Sequence, residues 1–345
     1  MGLARPATPV TNMRLLVTGG LGFIGSNFVR HILKKCPDMH IVNVDNLSYG
    51  ANRANLRDVE GDRRYQFLRG DITDTGLINR LIPDVDAIVN FAAESHVNRS
   101  IADPWPFFKS NVQGVLTILE GMRQAGGKIR LVHVGTDESY GSTANGSFRE
   151  EDSLTPSSPY SASKAAADLL CLGHQTTYGL DVVITRCTNN FGPYQSPEKL
   201  VPKTTIRATQ RLPIPVYGSG TNVRDWIYVL DHCEALATVL DRGVSGQIYN
   251  IAGGNEYHNI DIVKQILKIV ERGESLIQFV EDRPGHDLRY SLDSSKIAKE
   301  LKWRPSHDFA SALRSTVGWY LHNEQWWKPL ASESLLHPTP WKLKW

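Results

Sequence analysis

"VTGGLGFIGSNF" spans Val17 to Phe28. It follows the apolar pair Leu15–Leu16 and leads into helical spacing at Phe23, Ile24, Phe28, Ile32 and Leu33. A strand, a glycine turn and an amphipathic helix in that order open a βαβ unit of the dinucleotide-binding kind. The glycines parse as GxGxxG (Gly20, Gly22, Gly25) or as GxxGxxG (Gly19, Gly22, Gly25). A second strand, "HIVNVDN", follows and ends in Asp45, twenty residues after Gly25. An acid there can hydrogen-bond both ribose hydroxyls of an adenosine, and it disfavours the extra phosphate of NADP. The expected cofactor is therefore NAD, its pyrophosphate lying on the free N–H groups at the helix N-terminus.

Outward from this unit the pattern repeats. "RYQFLRGDI", "AIVNFAA", "IRLVHVG", "DVVITRCTN" and "GQIYNIAG" read as buried strands, with helical stretches such as Phe107–Arg123 and Pro159–Gly173 between them. Apolar strands alternating with helices predict an α/β protein, a Rossmann-like doubly wound parallel sheet covered on both faces. After Cys187 the style changes, and Pro193, Pro197, Pro202, Pro213 and Pro215 crowd together. This suggests a smaller C-terminal substrate-binding lobe. The expected organisation is an extension over 1–12, a cofactor domain over 13–190 with return segments near 226–254, a substrate lobe over 191–325 and a tail over 326–345. In that tail Trp326 and Trp327 are candidates for packing on the body. Its last fifteen or so residues read equally as a packed arm or a free tail.

Composition narrows the function. Among 345 residues, 38 basic and 36 acidic side chains leave a net charge of +2, which argues against a nucleic-acid surface. No apolar run reaches the length of a membrane span, and "MGLARPATPVTN" lacks the apolar core of a signal peptide. Four scattered cysteines without metal-like spacing read as reduced thiols of a cytoplasmic protein, so no metal site is expected.

Two further stretches carry chemistry. "SPYSASK" sets Tyr160 and Lys164 four apart, on one face of a helix whose first turn suits Pro159. A neighbouring ammonium, with a positive nicotinamide ring, favours the phenolate that would take a proton from an alcohol. "GTDESYG" puts Thr136, Asp137 and Glu138 at the end of a core strand. Adjacent carboxyls there are either a solvated turn or a working acid and base. Thr136 can hydrogen-bond the reacting hydroxyl.

With "AAESHVNRS", "RCTNNFGPYQSPEKLVP", "RDWIYV" and "DRPGHDLRY", these motifs resemble the extended short-chain dehydrogenase/reductases from Met13 to about Trp326. Within that family the resemblance is to the 4,6-dehydratases of nucleotide-diphospho-glucose, with the thymidine nucleotide expected and the uridine nucleotide the near alternative. It implies a homodimer joined through the helices Phe107–Arg123 and Pro159–Gly173. It implies oxidation at C4, with Tyr160 taking the 4-hydroxyl proton as NAD takes the hydride, then removal of the C5 hydrogen by Glu138 and protonation of the departing 6-hydroxyl by Asp137. A plain 4-epimerase or decarboxylase has no elimination step and no need of the acid pair. A non-catalytic NAD sensor has no need of the whole set.

The resemblance also fills in the binding residues. Phe23, Ile24, Asn46, Leu47 and Ser48 join the glycines and Asp45 around the cofactor, with Asp71 and Ile72 toward adenine. Phe91, Ala92, Ala93, Ser95 and Ser110 follow, and Asn190 toward the nicotinamide. On the substrate side it implies Ser95, His96, Asn189, Lys199, Leu200, Arg224 and Asn259. Arg283 and His286 complete the diphosphate pocket, and Pro215, Val216 and Tyr217 flank the base. Asn98 stands where this family usually has aspartate, Ser139 where it usually has valine, and Leu230 where it usually has an acid.

Overall fold

The computed structural model describes residues 13–332 and 336–342, so the expected extension over 1–12 lies outside the described residues. Its frame is a seven-stranded sheet in the order β10-β6-β5-β4-β1-β2-β3, parallel throughout. The strands are β1 (Arg14–Thr18), β2 (His40–Asp45), β3 (Tyr65–Arg69), β4 (Ala87–Asn90), β5 (Arg130–Thr136), β6 (Val182–Cys187) and β10 (Ile248–Ile251). The order reverses between β1 and β4, which opens a crevice at the carboxyl ends of the strands.

Both faces are buried, as the apolar strands predict. Leu15 and Val17 point to one side, against Phe28, Val29 and Ile32 of α1 (Phe23–Lys35). Leu16 points to the other, toward Ile78 of α2 (Thr75–Leu81) and Val115, Ile118 and Leu119, which lie further along the chain. The two-residue strand period delivers a core to each face.

After β4 the chain forms α3 (Val97–Ala102), α4 (Trp105–Phe107), a π-helical turn Phe108–Gln113 and α5 (Gly114–Gln124). The π turn carries Ser110 and Asn111, and such turns recur at functional sites. Asn111 accepts from the Glu94 N–H (2.8 Å) and donates to Ser163 Oγ (2.8 Å), tying the turn to α6.

Helix α6 (Pro159–Tyr178) starts where Pro159 and a Ser158–Ser161 capping box satisfy its first amides. It runs past Gly173, the end expected from sequence. Nothing crowds Gly173, and the left-handed stop comes only at Gly179 (φ 69°).

A smaller lobe follows. Here α7 (Leu200–Thr209) and α9 (Asn259–Ile269) pack beside β7 (Asn189–Phe191), β8 (Ile214–Tyr217) and β9 (Val223–Tyr228). Strand β11 (Glu256–His258) joins β9, β12 (Ile277–Val280) joins β8, and α11 (Phe309–His322) closes the lobe. Between them α8 (Val229–Arg242) packs on the large sheet. So does α10 (Ser295–Leu301), although it lies within the stretch expected for the substrate lobe, because Ile297 and Leu301 enter the core shared with α1. Last among the helices, α12 (Glu324–Trp327) buries Trp327 against Ile206 and Tyr320. Trp326 donates to Asn55 Oδ1 (2.9 Å).

A polar row crosses the dry interior. Thr18, Asn90 and His133 are register partners on β1, β4 and β5. The Thr18 hydroxyl donates to Asn90 Oδ1 (2.6 Å), and the Asn90 amide to His133 Nδ1 (3.1 Å). Beyond His133 lies Asp168 of α6, paired with Arg186 of β6 at 2.8 Å, with both side chains at most 2% exposed. Asp168→Ala is expected to lower the unfolding free energy by about 3–5 kcal/mol, since it leaves Arg186 charged and unpaired. Denaturant unfolding should register this loss, and an unchanged midpoint would refute it.

Candidate active site

The crevice at the sheet's switch point is a cleft of about 300 Å³. Its floor is the glycine turn. Gly19 sits at φ +71°, and a Cβ there would lie 2.6 Å from the Ala92 nitrogen; one on Gly25 would lie 2.5 Å from the Gly19 carbonyl. Gly20 is tight for another reason. It packs on Asn43, whose Oδ1 accepts the Gly20 N–H (3.1 Å). Gly19, Gly22 and Gly25 line the cleft and Gly20 does not, so GxxGxxG is the parse that faces it. Gly22 caps α1 without a side chain, leaving the helix amides to the cleft.

Asp45 ends β2 at the rim of this floor. It accepts from the Leu21 N–H (3.0 Å) and the Leu47 N–H (2.9 Å), while burial pushes its carboxyl up. Phe23, Ile24, Asn46, Ser48, Ile72, Phe91, Ala92, Ala93, Ser95, Ser110 and Asn190 line the same cleft. Asn190 is held by the His232 ring (2.9 Å) and by Gln195, which donates to its carbonyl (2.8 Å). Leu47 and Asp71 are not in the lining. Asp71 instead caps its own turn at Thr73 and holds the Asn46 amide (3.0 Å).

At the other wall Thr136, Asp137, Glu138, Tyr160 and Lys164 come together. Thr136 ends β5, and Asp137–Tyr140 is a 3-10 turn that Thr136 caps, its hydroxyl accepting the Glu138 N–H (3.3 Å). This turn is not solvated, since Asp137 is 3% exposed. Its Oδ1 lies 3.2 Å from the Thr136 hydroxyl, and its Oδ2 is buried without a partner. Burial, then the Glu138 charge, push the Asp137 carboxyl well above the usual range. Burial also raises Glu138, but Arg283, Arg224 and Lys199 pull it back. The pair is therefore asymmetric, with the proton favoured on Asp137.

Tyr160 and Lys164 share a face of α6. Lys164 Nζ donates to the Val134 carbonyl (2.7 Å), and burial lowers its pKa. Burial and the Glu138 charge push Tyr160 well up. The ammonium is engaged by backbone, and burial with the Glu138 charge favours the phenol of Tyr160 over its phenolate.

The second lobe brings Asn189 and Lys199 into the lining, while His96, Leu200, Pro215, Val216, Tyr217, Arg224, Asn259, Arg283 and His286 lie outside it. Arg224 is buried; it donates to the Asp287 carbonyl (2.9 Å) and stands over the Tyr290 ring, 4.2 Å from its centroid. His286 is pushed down to about 4 by burial and then by the Arg283 charge. Sequence reading missed Glu198 and Tyr49. They join by a short hydrogen bond across the cleft mouth, and Glu198 also meets His96 Nε2 at 3.1 Å. Glu198 stood inside a quoted motif, but nothing local signals its pairing with a tyrosine 149 positions away.

Among known proteins, a family model described as GDP-mannose 4,6 dehydratase matches residues 16–316. A dTDP-glucose 4,6-dehydratase of Streptomyces niveus is 47% identical over 325 residues, covering 93% of this chain and 96% of that one. The crystal structure of DesIV, a dTDP-glucose 4,6-dehydratase from Streptomyces venezuelae with NAD and TYD bound, aligns with a TM-score of 0.91 at 50% identity. It covers 92% of this chain and all (100%) of that one. A UDP-glucuronic acid 4-epimerase from Bacillus cereus aligns less closely, with a TM-score of 0.85 at 26% identity, over 90% of this chain and 99% of that one. From the matched family model, the near-half identity over nearly the whole chain and the shared fold, it follows that this chain belongs to the dTDP-glucose 4,6-dehydratase family.

Proposed function

We propose that this chain dehydrates dTDP-glucose to its 4-keto-6-deoxy product, using NAD that is reduced and reoxidised within one turnover. The observation that carries this reading is the asymmetric pair of buried Asp137 and half-buried Glu138 beside Tyr160 and Lys164. The glycine cradle, the uncapped start of α1 and Asp45 at the end of β2 fit NAD. NAD, when bound, accepts a hydride from C4 and returns it to C6.

The chain's own groups handle the protons. Tyr160 takes the proton of the 4-hydroxyl, oriented by Thr136. Its phenol is held protonated by burial and by Glu138, so it needs positive charge nearby to act, and Lys164, one helical turn on along the same face, supplies part of that. The C4 ketone acidifies the C5 hydrogen, and Glu138 removes it. Asp137 then gives its proton to the departing 6-hydroxyl. A base and an acid on neighbouring residues suit elimination across neighbouring carbons. Lys199, Arg224, Arg283 and His286 surround the diphosphate, while Asn189, Leu200 and Asn259 hold the nucleotide beside it. Pro215, Val216 and Tyr217 flank the base, and His96 and Ser95 face the sugar.

We further infer a homodimer. Trp105 (74% exposed), Phe108, Leu169 and Tyr178 present an apolar face along α4, the π turn and α6. A cytoplasmic location fits the unpaired thiols Cys36, Cys171, Cys187 and Cys233.

Four outcomes test these readings. Mass spectrometry should show loss of water from dTDP-glucose by the wild-type protein; no loss from any glucose nucleotide would sink the dehydratase reading. Glu138→Gln should slow water loss at least about a hundredfold while reduced cofactor still accumulates. The kcat–pH profile should be bell-shaped. It should fall on the acid side as Glu138 takes up a proton above the ordinary carboxylate range. It should fall on the alkaline side as Asp137, held higher still, loses its own. Asp137→Asn should remove the alkaline limb along with most of the activity. Finally, Leu169→Glu should halve the mass seen by light scattering; an unchanged mass would refute the helical interface.

A further inference from the structure

The described end of the chain returns to the substrate lobe. Leu336 is buried with Ile206, Tyr320 and Trp327. From α7, Arg207 donates to the Leu336 carbonyl (3.0 Å) and Lys203 to the His337 carbonyl (3.4 Å). Lys342 pairs with Glu281, at the head of the loop carrying Arg283 and His286. Between these anchors Pro340–Lys342 forms a 3-10 turn packed on α3. There the Trp341 ring meets Tyr217 edge to face, with centroids 4.8 Å apart and planes at 89°.

Tyr217 has a second neighbour of interest. The Asn98 amide, on α3, is within hydrogen-bonding reach of its phenol. Asn98 is only 4% exposed, and its Oδ1 has no partner. A buried acceptor without a donor is unfavourable, and it marks a place where a donor is expected to arrive. Arg283 acts electrostatically on Tyr217 and on Glu138, and its Nε is also buried without a partner.

We infer that Trp341 and Asn98 determine base specificity at the far end of the nucleotide site. Trp341 completes the aromatic slot begun by Tyr217. Asn98 Oδ1 accepts the ring N–H of an imide base, thymine or uracil, while its amide N–H faces the phenol. Cytosine carries no hydrogen at that ring nitrogen and leaves the acceptor empty. This inference rests on the nucleotide-sugar reading above and adds residues to that site.

Calorimetry on the full chain with dTDP, UDP and CDP tests it. Wild-type protein should bind dTDP and UDP well above CDP. Trp341→Ala should weaken dTDP binding about fivefold, with Trp341→Phe recovering most of it. Asn98→Ala should reduce the preference for dTDP over CDP roughly tenfold. Each variant should melt within a few degrees of wild type. Unchanged or tighter dTDP binding by Trp341→Ala overturns the role of Trp341. An unchanged dTDP-to-CDP ratio in Asn98→Ala overturns that of Asn98. Parallel turnover of dTDP-glucose by wild-type protein keeps the two readings apart. If water is lost but neither variant alters binding, this inference alone fails. If both variants behave as expected but no water is lost, the dehydratase reading alone fails.

Discussion

Asp168 and Arg186 form the contact on which the placement of Tyr160, Lys164, Asp137 and Glu138 depends. Tyr160, Lys164 and Asp168 recur every four residues, so they share one face of α6. Asp168 is fixed to β6 by Arg186, and Lys164 to β5 by the Val134 carbonyl. With two of the three tethered, the third cannot rotate away, and Tyr160 is delivered to the end of β5. Arg186 also lies over the Tyr140 ring at 4.6 Å, which holds the turn carrying Asp137 and Glu138. One buried pair thereby sets helix and turn against each other. Buried ion pairs add little net stability, but a partner left alone is strongly unfavourable, so this contact specifies a geometry.

The same burial creates the chemistry. Solvated, Asp137 and Glu138 would both be ionised at neutral pH. Withdrawn from water, both resist ionisation, and the positive groups of the second lobe favour the charge on Glu138. Arg224 pulls on both carboxyls, while Arg283 and Lys199 add their pull on Glu138, and that difference sets the two apart. Tyr160 shows the complementary case, because burial and the Glu138 charge stabilise its phenol over the phenolate.

The sequence was most legible where the signal is local. Gly19 to Gly25 and Asp45 read correctly as a strand–turn–helix unit because a tight turn needs glycine within a few residues. The period-two alternation of Leu15, Leu16 and Val17 shows in the same way. The choice between two glycine parses was not legible. It turns on Asn43, a residue on the neighbouring strand that occupies the space beside Gly20. The end of α6 was misplaced at Gly173 because a glycine inside a helix and a glycine that stops one look alike until the backbone angle is known.

By itself, then, the sequence determined the βαβ frame, the strand end that bears Thr136, Asp137 and Glu138, and the shared helix face of Tyr160 and Lys164. These follow from spacing along the chain and the fixed periods of strand and helix. Only the tertiary structure decided that Asp137 is buried and Glu138 half-buried, that Asp137 is held above Glu138, that Glu198 meets Tyr49, and that Trp341 lies on Tyr217. Each of these joins residues far apart in sequence, and a carboxyl's proton affinity depends on the water and charges around it, which spacing does not encode.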